Sequence, residues 1–199
     1  MENYNKDALY KKKVHLYMEA NPNPNSLKFV ANFMLVQEGE YYDFPTVEET
    51  SGAPLANELF EKFGFIERVF YMNNFITVTK KDDVDWAEVQ HDIKDFIASY
   101  LQEEKPILVE NESKEEAITD NHTEIDRKII SALDEYVKPA VEQDGGAISF
   151  HSFNEGTVKV QLKGSCSGCP SSMVTLKAGI ENLLTRMIPE VQRVEAEEL

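Results

Sequence analysis

Residues 158–184 read VKVQLKGSCSGCPSSMVTLKAGIENLL, and this stretch decides the fold of the second half of the chain. Val158, Val160 and Leu162 alternate with polar residues, which predicts a half-buried strand. Farther along, apolar residues recur at the spacing of one helix face: Met173, Leu176, Ile180, Leu183, Leu184 and Met187. The loop GSCSGCPSS at 164–172 is therefore predicted to join the end of a strand to the start of a helix.

This loop contains both cysteines of the chain, Cys166 and Cys169, in a C-x-x-C spacing. The first turn of a helix presents unpaired N–H groups and a partial positive charge, which favours thiolate over thiol. Ser167 and Gly168 between the cysteines are small, so backbone N–H groups can approach a bound cluster closely. Cys166 and Cys169 are therefore the candidate metal ligands.

Several kinds of chemistry begin from this spacing. A structural zinc site needs four ligands, whereas this half of the chain offers two thiols and His151, with His122 in the segment before it. A 4Fe-4S cluster also needs four ligands, and two identical chains supply them if each gives Cys166 and Cys169. A thiol–disulfide redox pair also lies between strand and helix, but here the proline follows the second cysteine. The residues alone favour a cluster and leave the redox pair and a chance pairing open.

Composition excludes some partners and indicates a compartment. The 36 acidic and 20 basic residues give a formal net charge of -16, which repels nucleic acid and anionic lipid. No apolar run approaches the roughly 18 residues of a membrane span, and the N-terminus lacks the apolar stretch of a signal peptide. We therefore expect no nucleic acid and no membrane as partners. We expect a cytoplasmic protein, or one from which a targeting segment has been removed.

An acidic segment divides the chain. Residues 102–124 read QEEKPILVENESKEEAITDNHTE and show neither a helical nor an alternating apolar period. This predicts a first domain at 13–103, a linker at 104–123 and a second domain at 124–199. An extended tether of ~20 residues spans about 25 Å, enough for the two domains to reorient independently.

The first domain is predicted to be a small α+β unit. A helix is expected in SGAPLANELFEKFG, with Ser51 as its N-cap and Gly64 at its end. Two strands flank Asn73 and Asn74, which tolerate the positive φ of a tight hairpin turn. A second helix is expected to begin at Asp85.

The second domain is predicted to have the order α-β-β-α-β. A helix with apolar residues at Ile125 and every fourth position after it ends near Pro139, and a hairpin and the strand–loop–helix stretch follow. The fold class is therefore α+β, with two small α+β domains joined by an acidic linker. Asp144, Gly145 and Gly146 are interpreted as a turn outside the site. His151 is interpreted as a structural histidine and the methionine stripe as core.

The second domain resembles the C-terminal domain of NifU, the Nfu-type iron-sulfur scaffold and carrier, through VKPAVEQDGGAISF, VKVQLKGSCSGCPSSMVTLKAGIENLL and PEVQRVE. Ala147 departs from the acidic residue that the family often has there. The first domain is similar to the Nfu N-terminal domain, through NPNPNSLKF, SGAPLANELF and RVFYMNNFITVTK. The family generally uses that domain to contact clients or partners.

The resemblance implies a function. Family members bind a 4Fe-4S cluster between two subunits through this C-x-x-C and pass it to apo recipient proteins. It therefore implies that Cys166 and Cys169 are cluster ligands, that the cluster-bound protein is a homodimer, and that its partners are recipients and the cluster-assembly machinery. We expect a carrier and not an enzyme. The alternative is a thiol–disulfide oxidoreductase that uses the same two cysteines.

Overall fold

The computed structural model of the protein describes residues 13–109, 122–167 and 170–198. Most of the predicted linker, from 110 to 121, and Cys169 with Gly168 before it, lie outside the described residues. The described parts form two units of mixed helix and strand, which confirms the predicted α+β class. Within these ranges no helix is both long and apolar enough to cross a membrane.

The first unit is an antiparallel sheet of five strands in the order β1-β2-β5-β4-β3, packed against two helices. Its strands are β1 (Leu16–Ala20), β2 (Ser26–Ala31), β3 (Tyr41–Phe44), β4 (Ile66–Met72) and β5 (Phe75–Lys80). Its helices are α1 (Pro54–Lys62) and α2 (Trp86–Gln102). Asn73 has a φ of 47° in the two-residue turn between β4 and β5, as the sequence predicts.

Helix α1 begins later than predicted. Ser51 is not its N-cap, because the helix starts at Pro54 with Ala53 in the cap position. Gly52, with a φ of 83°, has a left-handed conformation that a helix cannot include. Proline suits the first helical turn, since its φ is already helical and its missing N–H has no helical partner there. The helix ends at Lys62 with Phe63 as its C-cap, so Gly64 directly follows the cap, as the sequence predicts.

The second unit has the predicted order α-β-β-α-β. Its elements are α3 (Glu124–Ala132), a π-helical turn (Leu133–Val137), α4 (Lys138–Gln143), β6 (Gly146–Asn154), β7 (Thr157–Gly164), α5 (Pro170–Met187) and β8 (Arg193–Glu198). β7 is the central strand, antiparallel to β6 and parallel to β8. The first helix is interrupted just before Pro139, which lacks an N–H and clashes with the carbonyl four residues back in a regular helix.

Helix α5 buries a narrower stripe than predicted. Ile180 and Leu184 in α5 and Ile188 directly after it are buried at spacing four, whereas the residue Met187 is 47% exposed. Met187 is the last residue of α5, so less of the domain covers its side chain than covers the residues one and two turns earlier. The prediction that Met187 belongs to the core is wrong, and the side chain of Met173 lies outside the described residues.

The two units are in contact, in contrast to the expectation of freely reorienting domains. Every residue of β2 is buried, because its sheet packs on α1 and α2 on one face and meets the second unit on the other. The apolar residues at this contact are Val30, Phe70, Met72, Phe75 and Ala147. Strands covered on both faces have continuous apolar runs, as VFYM at 69–72 does in β4.

The start of the predicted linker packs against the first unit. The Val109 backbone N–H donates to the Gly52 carbonyl at 2.7 Å, and Ile107 and Leu108 pack against the core. The Tyr100 hydroxyl donates to the carbonyl of Pro106 at 2.8 Å. Residues 107–109 of the predicted linker therefore contribute to the packing of the first unit.

Candidate metal centre

Cys166 lies in the loop between β7 and α5, where the sequence predicts it. Cys166 is 7% exposed and belongs to the hydrophobic core of the second unit. Ser165 and Ser167 on either side are 3% exposed each. Cys169 lies outside the described residues, so its role as the second ligand stays a prediction.

Gly146, at the start of β6, packs directly against Cys166. A Cβ atom at this position would lie 2.9 Å from the Cys166 Sγ and 2.6 Å from the Lys163 carbonyl oxygen. Only glycine leaves room for the thiol here, so Gly146 borders the candidate site. Gly145, with a φ of 81°, lies in a turn as the sequence predicts, whereas Gly146 is the first residue of β6 and packs against Cys166.

Hydrogen bonds within the second unit hold the cysteine loop. The Ser165 hydroxyl donates to the Asp144 carbonyl, and the Ser165 backbone N–H donates to the Gly145 carbonyl at 3.3 Å. The Ser167 hydroxyl donates to the Leu162 carbonyl at 2.7 Å. The two serines next to Cys166 therefore donate to backbone carbonyls that are buried and would otherwise lack a hydrogen-bond partner.

Three side chains of the first unit reach the same loop and the turn behind it. The Asn23 amide nitrogen donates to the Ser165 carbonyl at 2.9 Å, and the Thr77 hydroxyl donates to the Gly145 carbonyl at 2.8 Å. The Lys28 ammonium donates to the Gln143 carbonyl at 3.0 Å. Sequence reasoning missed all three, although two of them lie in the family-like stretch NPNPNSLKF.

A cleft of about 410 Å³ opens at this contact. It is lined by Pro22, Asn23, Asp144, Ser165, Cys166, Thr175 and Leu176. Both units and the first half of α5 therefore surround the space next to Cys166.

Charged groups from both units lie at the domain contact. Lys28 forms an ion pair with Glu19 at 2.8 Å, and its ammonium lies 4.8 Å from the centre of the Phe75 ring. Burial raises the pKa of the Asp144 carboxyl, and Lys28 opposes that rise. Burial likewise raises the pKa of the Asp43 carboxyl, opposed by Arg68 and by Lys163 of the second unit.

The histidines considered for a zinc site do not join the cysteine loop. His151 is exposed on β6 and faces Gln161 and Glu197, five residues and roughly 17 Å along the strand from Gly146. The His122 ring contacts Phe150. In residues 13–109, 122–167 and 170–198, no three His, Cys, Asp or Glu side chains form a group that could hold a metal ion.

Comparison with known proteins identifies the family. A profile described as "Scaffold protein Nfu/NifU N terminal" matches residues 16–104, and a "NifU-like domain" profile matches 129–195. The human "NFU1 iron-sulfur cluster scaffold homolog, mitochondrial" is 40% identical over 175 residues, covering 87% of this chain and 68% of that protein. The chain belongs to the Nfu/NifU family of iron-sulfur cluster scaffold proteins. The family resemblance predicted from the sequence is therefore confirmed.

Two other relatives of this Nfu/NifU family member match it over a similar length and at a similar identity. The protein of the same name from Drosophila persimilis is 37% identical over 189 residues, covering 94% of this chain and 67% of that protein. "NifU-like protein 4, mitochondrial" from Arabidopsis thaliana is 38% identical over 184 residues, covering 90% of this chain and 64% of that protein. The chain thus spans about two thirds of each relative's length.

These names contradict the expectation of a cytoplasmic protein, since all three relatives are described as mitochondrial. That expectation rested on the lack of an apolar signal-peptide stretch and of a membrane span. Mitochondrial targeting segments are amphipathic and rich in arginine, so neither observation bears on that compartment.

Proposed function

We propose that this Nfu/NifU family member binds a 4Fe-4S cluster through Cys166 and Cys169 of two copies, and passes the cluster to apo recipient proteins. The observation that supports this most is the position of Cys166. It lies in a loop held by hydrogen bonds and borders a cleft, in a chain that belongs to a cluster scaffold family. Two thiols in each chain require a second copy to complete four ligands.

The loop is suited to bind a cluster as cargo. Ser165 and Ser167 hold the backbone on both sides of Cys166, and Gly146 packs against its thiol, so residues 165–167 need little ordering when iron binds. The N-terminus of α5 follows the loop, and its positive end favours thiolates and an anionic cluster.

Transfer is a ligand exchange. Each thiolate–iron bond to this chain breaks as a thiolate of the recipient forms one, and the iron and sulfide keep their oxidation states. Because each chain contributes only two thiolates, a recipient with a complete ligand set binds the cluster more stably. The proposed partners are accordingly apo iron-sulfur proteins and the machinery that supplies the cluster.

The first test measures iron and assembly together. Anaerobic size-exclusion chromatography with light scattering on apo and reconstituted protein should show a dimer on reconstitution, with about two irons per polypeptide. Removing the iron with a chelator should return the protein to its apo state. A protein that holds a full cluster yet remains monomeric, without added thiols, contradicts the shared site.

Single substitutions test the ligands. Cys166→Ser and Cys169→Ser should each abolish stable binding, since a protonated hydroxyl replaces a soft thiolate. His151→Gln is the matched control, because His151 is exposed and distant from the loop. Normal iron content in both cysteine variants would place the ligands elsewhere. Catalytic disulfide reduction by the metal-free protein would favour the oxidoreductase alternative instead.

A further inference from the structure

We propose that the first domain forms part of the cluster site, and that Asn23 is a positioning residue that holds the cysteine loop for the cluster. This inference rests on the proposed function and deepens it. It assigns the first domain a structural role at the site itself, in addition to any contact with clients.

The geometry of Asn23 leaves its amide one orientation. Its side-chain oxygen accepts a hydrogen bond from the Asn25 backbone N–H at 3.0 Å, so its nitrogen faces the Ser165 carbonyl at 2.9 Å. The residue is only 4% exposed, which shields this bond from competing water. The Ser165 carbonyl belongs to the peptide that leads into Cys166. Asn23 therefore restrains the backbone directly before the thiol.

Two further contacts hold the turn behind the loop. Thr77 and Lys28 donate to the carbonyls of Gly145 and Gln143. The carbonyls of Asp144 and Gly145 in this turn accept hydrogen bonds from the hydroxyl and the backbone N–H of Ser165. The first domain thus fixes the loop directly through Asn23 and indirectly through the turn.

The cleft places the first domain beside the thiol. Pro22 and Asn23 line it on one side, and Thr175 and Leu176 of α5 line it on another. Ordering of the loop and binding of the cluster are coupled, because a loop that is already held needs less ordering when iron binds. Loss of the Asn23 contact should therefore make a bound cluster leave sooner.

Asn23→Asp tests this with little change of shape. The carboxylate keeps an acceptor for Asn25, loses the donor to Ser165 and brings negative charge to a carbonyl oxygen. In the reconstituted full chain, the cluster should be lost to a chelator about five-fold faster, the size expected for one hydrogen bond. In the apo chain, backbone amides at 164–167 should exchange hydrogen faster.

Asn32→Asp is the matched control. Asn32 follows the last residue of β2, whereas Asn23 precedes the first, and it bonds to the backbone of His15 and Lys13. The Asn32→Asp substitution therefore adds the same charge without touching the cysteine loop. It should leave both rates unchanged. If it accelerates cluster loss as much as Asn23→Asp does, the effect is one of net charge and the inference fails.

Thr77 provides a second pair that does not depend on the folding of the Asn23 variant. Thr77→Val removes the hydroxyl at nearly constant volume, whereas Thr77→Ser keeps it. Thr77→Val should speed cluster loss and alter the visible circular dichroism of the bound cluster, and Thr77→Ser should restore both to the wild-type values. Equal behaviour of the two variants would overturn a positioning role for this contact.

The outcomes separate this inference from the proposed function. If the wild-type chain takes up no cluster, the proposed function fails, and hydrogen exchange in the apo variants still decides whether Asn23 holds the loop. If the wild-type chain is loaded and Asn23→Asp and Thr77→Val both match it in cluster loss and hydrogen exchange, the first domain does not position the site.

Discussion

At the scale of single residues, Gly146 sets the space available to Cys166. We predict that Gly146→Ala destabilises the protein by about 1–3 kcal/mol, because its Cβ would overlap the Lys163 carbonyl oxygen and the Cys166 Sγ. The Lys163 carbonyl belongs to the backbone, so it cannot move aside for the new Cβ as a flexible side chain could. Urea unfolding measures the loss of stability, and iron content after reconstitution should fall as Cys166 is displaced.

Gly179→Ala is the control for this glycine. Gly179 lies in α5, and apart from its own stretch of helix no atom of the described residues lies within 4 Å of the position of its Cβ. Alanine there should stabilise the helix by about 0.5–1 kcal/mol and leave iron content unchanged. Equal iron content and stability for Gly146→Ala and the wild type would show that the loop adjusts.

At the scale of elements, the start of α2 depends on one side chain. The Asp85 carboxylate accepts a hydrogen bond from the Ala87 backbone N–H at 2.9 Å, which satisfies one of the unpaired donors of the first turn. We predict that Asp85→Ala lowers the free energy of unfolding by about 1 kcal/mol. Chemical denaturation monitored by the fluorescence of Trp86 measures this, since Trp86 is the first residue of the helix.

Asp85→Asn separates the hydrogen bond from the charge. Asparagine keeps an acceptor oxygen, so it should lose clearly less stability than alanine does. A loss as large as that of alanine would assign the effect to the charge at the helix N-terminus and not to the cap.

At the scale of the whole molecule, Phe70 joins the two domains. It is fully buried on β4, its ring stacks on Tyr41 at 6.0 Å, and a Cβ added at Gly164 of the second domain would lie 2.9 Å from it. We predict that Phe70→Ala costs about 3–5 kcal/mol and separates the domains. Small-angle X-ray scattering should then show a larger radius of gyration.

Phe44→Ala is the matched control for this contact. Phe44 is 6% exposed and packs within the core of the first domain against Tyr71. Its loss should lower stability without expanding the molecule. An unchanged radius of gyration for Phe70→Ala would mean that the remaining contacts between the domains hold them together without this ring. The division at 13–103, 104–123 and 124–199 stays a prediction.

Local features of this protein were predictable because each depends on residues close in sequence. The turn at Asn73, the start of α2 at Asp85 and Trp86, and the order of elements in the second domain follow from periodicity and turn chemistry. The predicted start of α1 was wrong because a serine side chain bonds to nearby backbone in turns as well as at helix N-termini. The residue type at Ser51 therefore does not distinguish the two. The spacing of Cys166 and Cys169, with the family resemblance, likewise sufficed to propose the ligands.

What the sequence determined by itself is therefore the fold class, the order of the main helices and strands in the second domain, the family and the candidate thiols. Only the tertiary structure decided that Gly146 borders Cys166 and that Asn23 and Thr77 reach the site from the other domain. These bonds join residues 142 and 68 positions apart. The spacing of apolar residues along the chain does not predict contacts between residues so far apart in sequence. Such contacts depend on the shapes of two folded surfaces and on every buried polar group finding a partner.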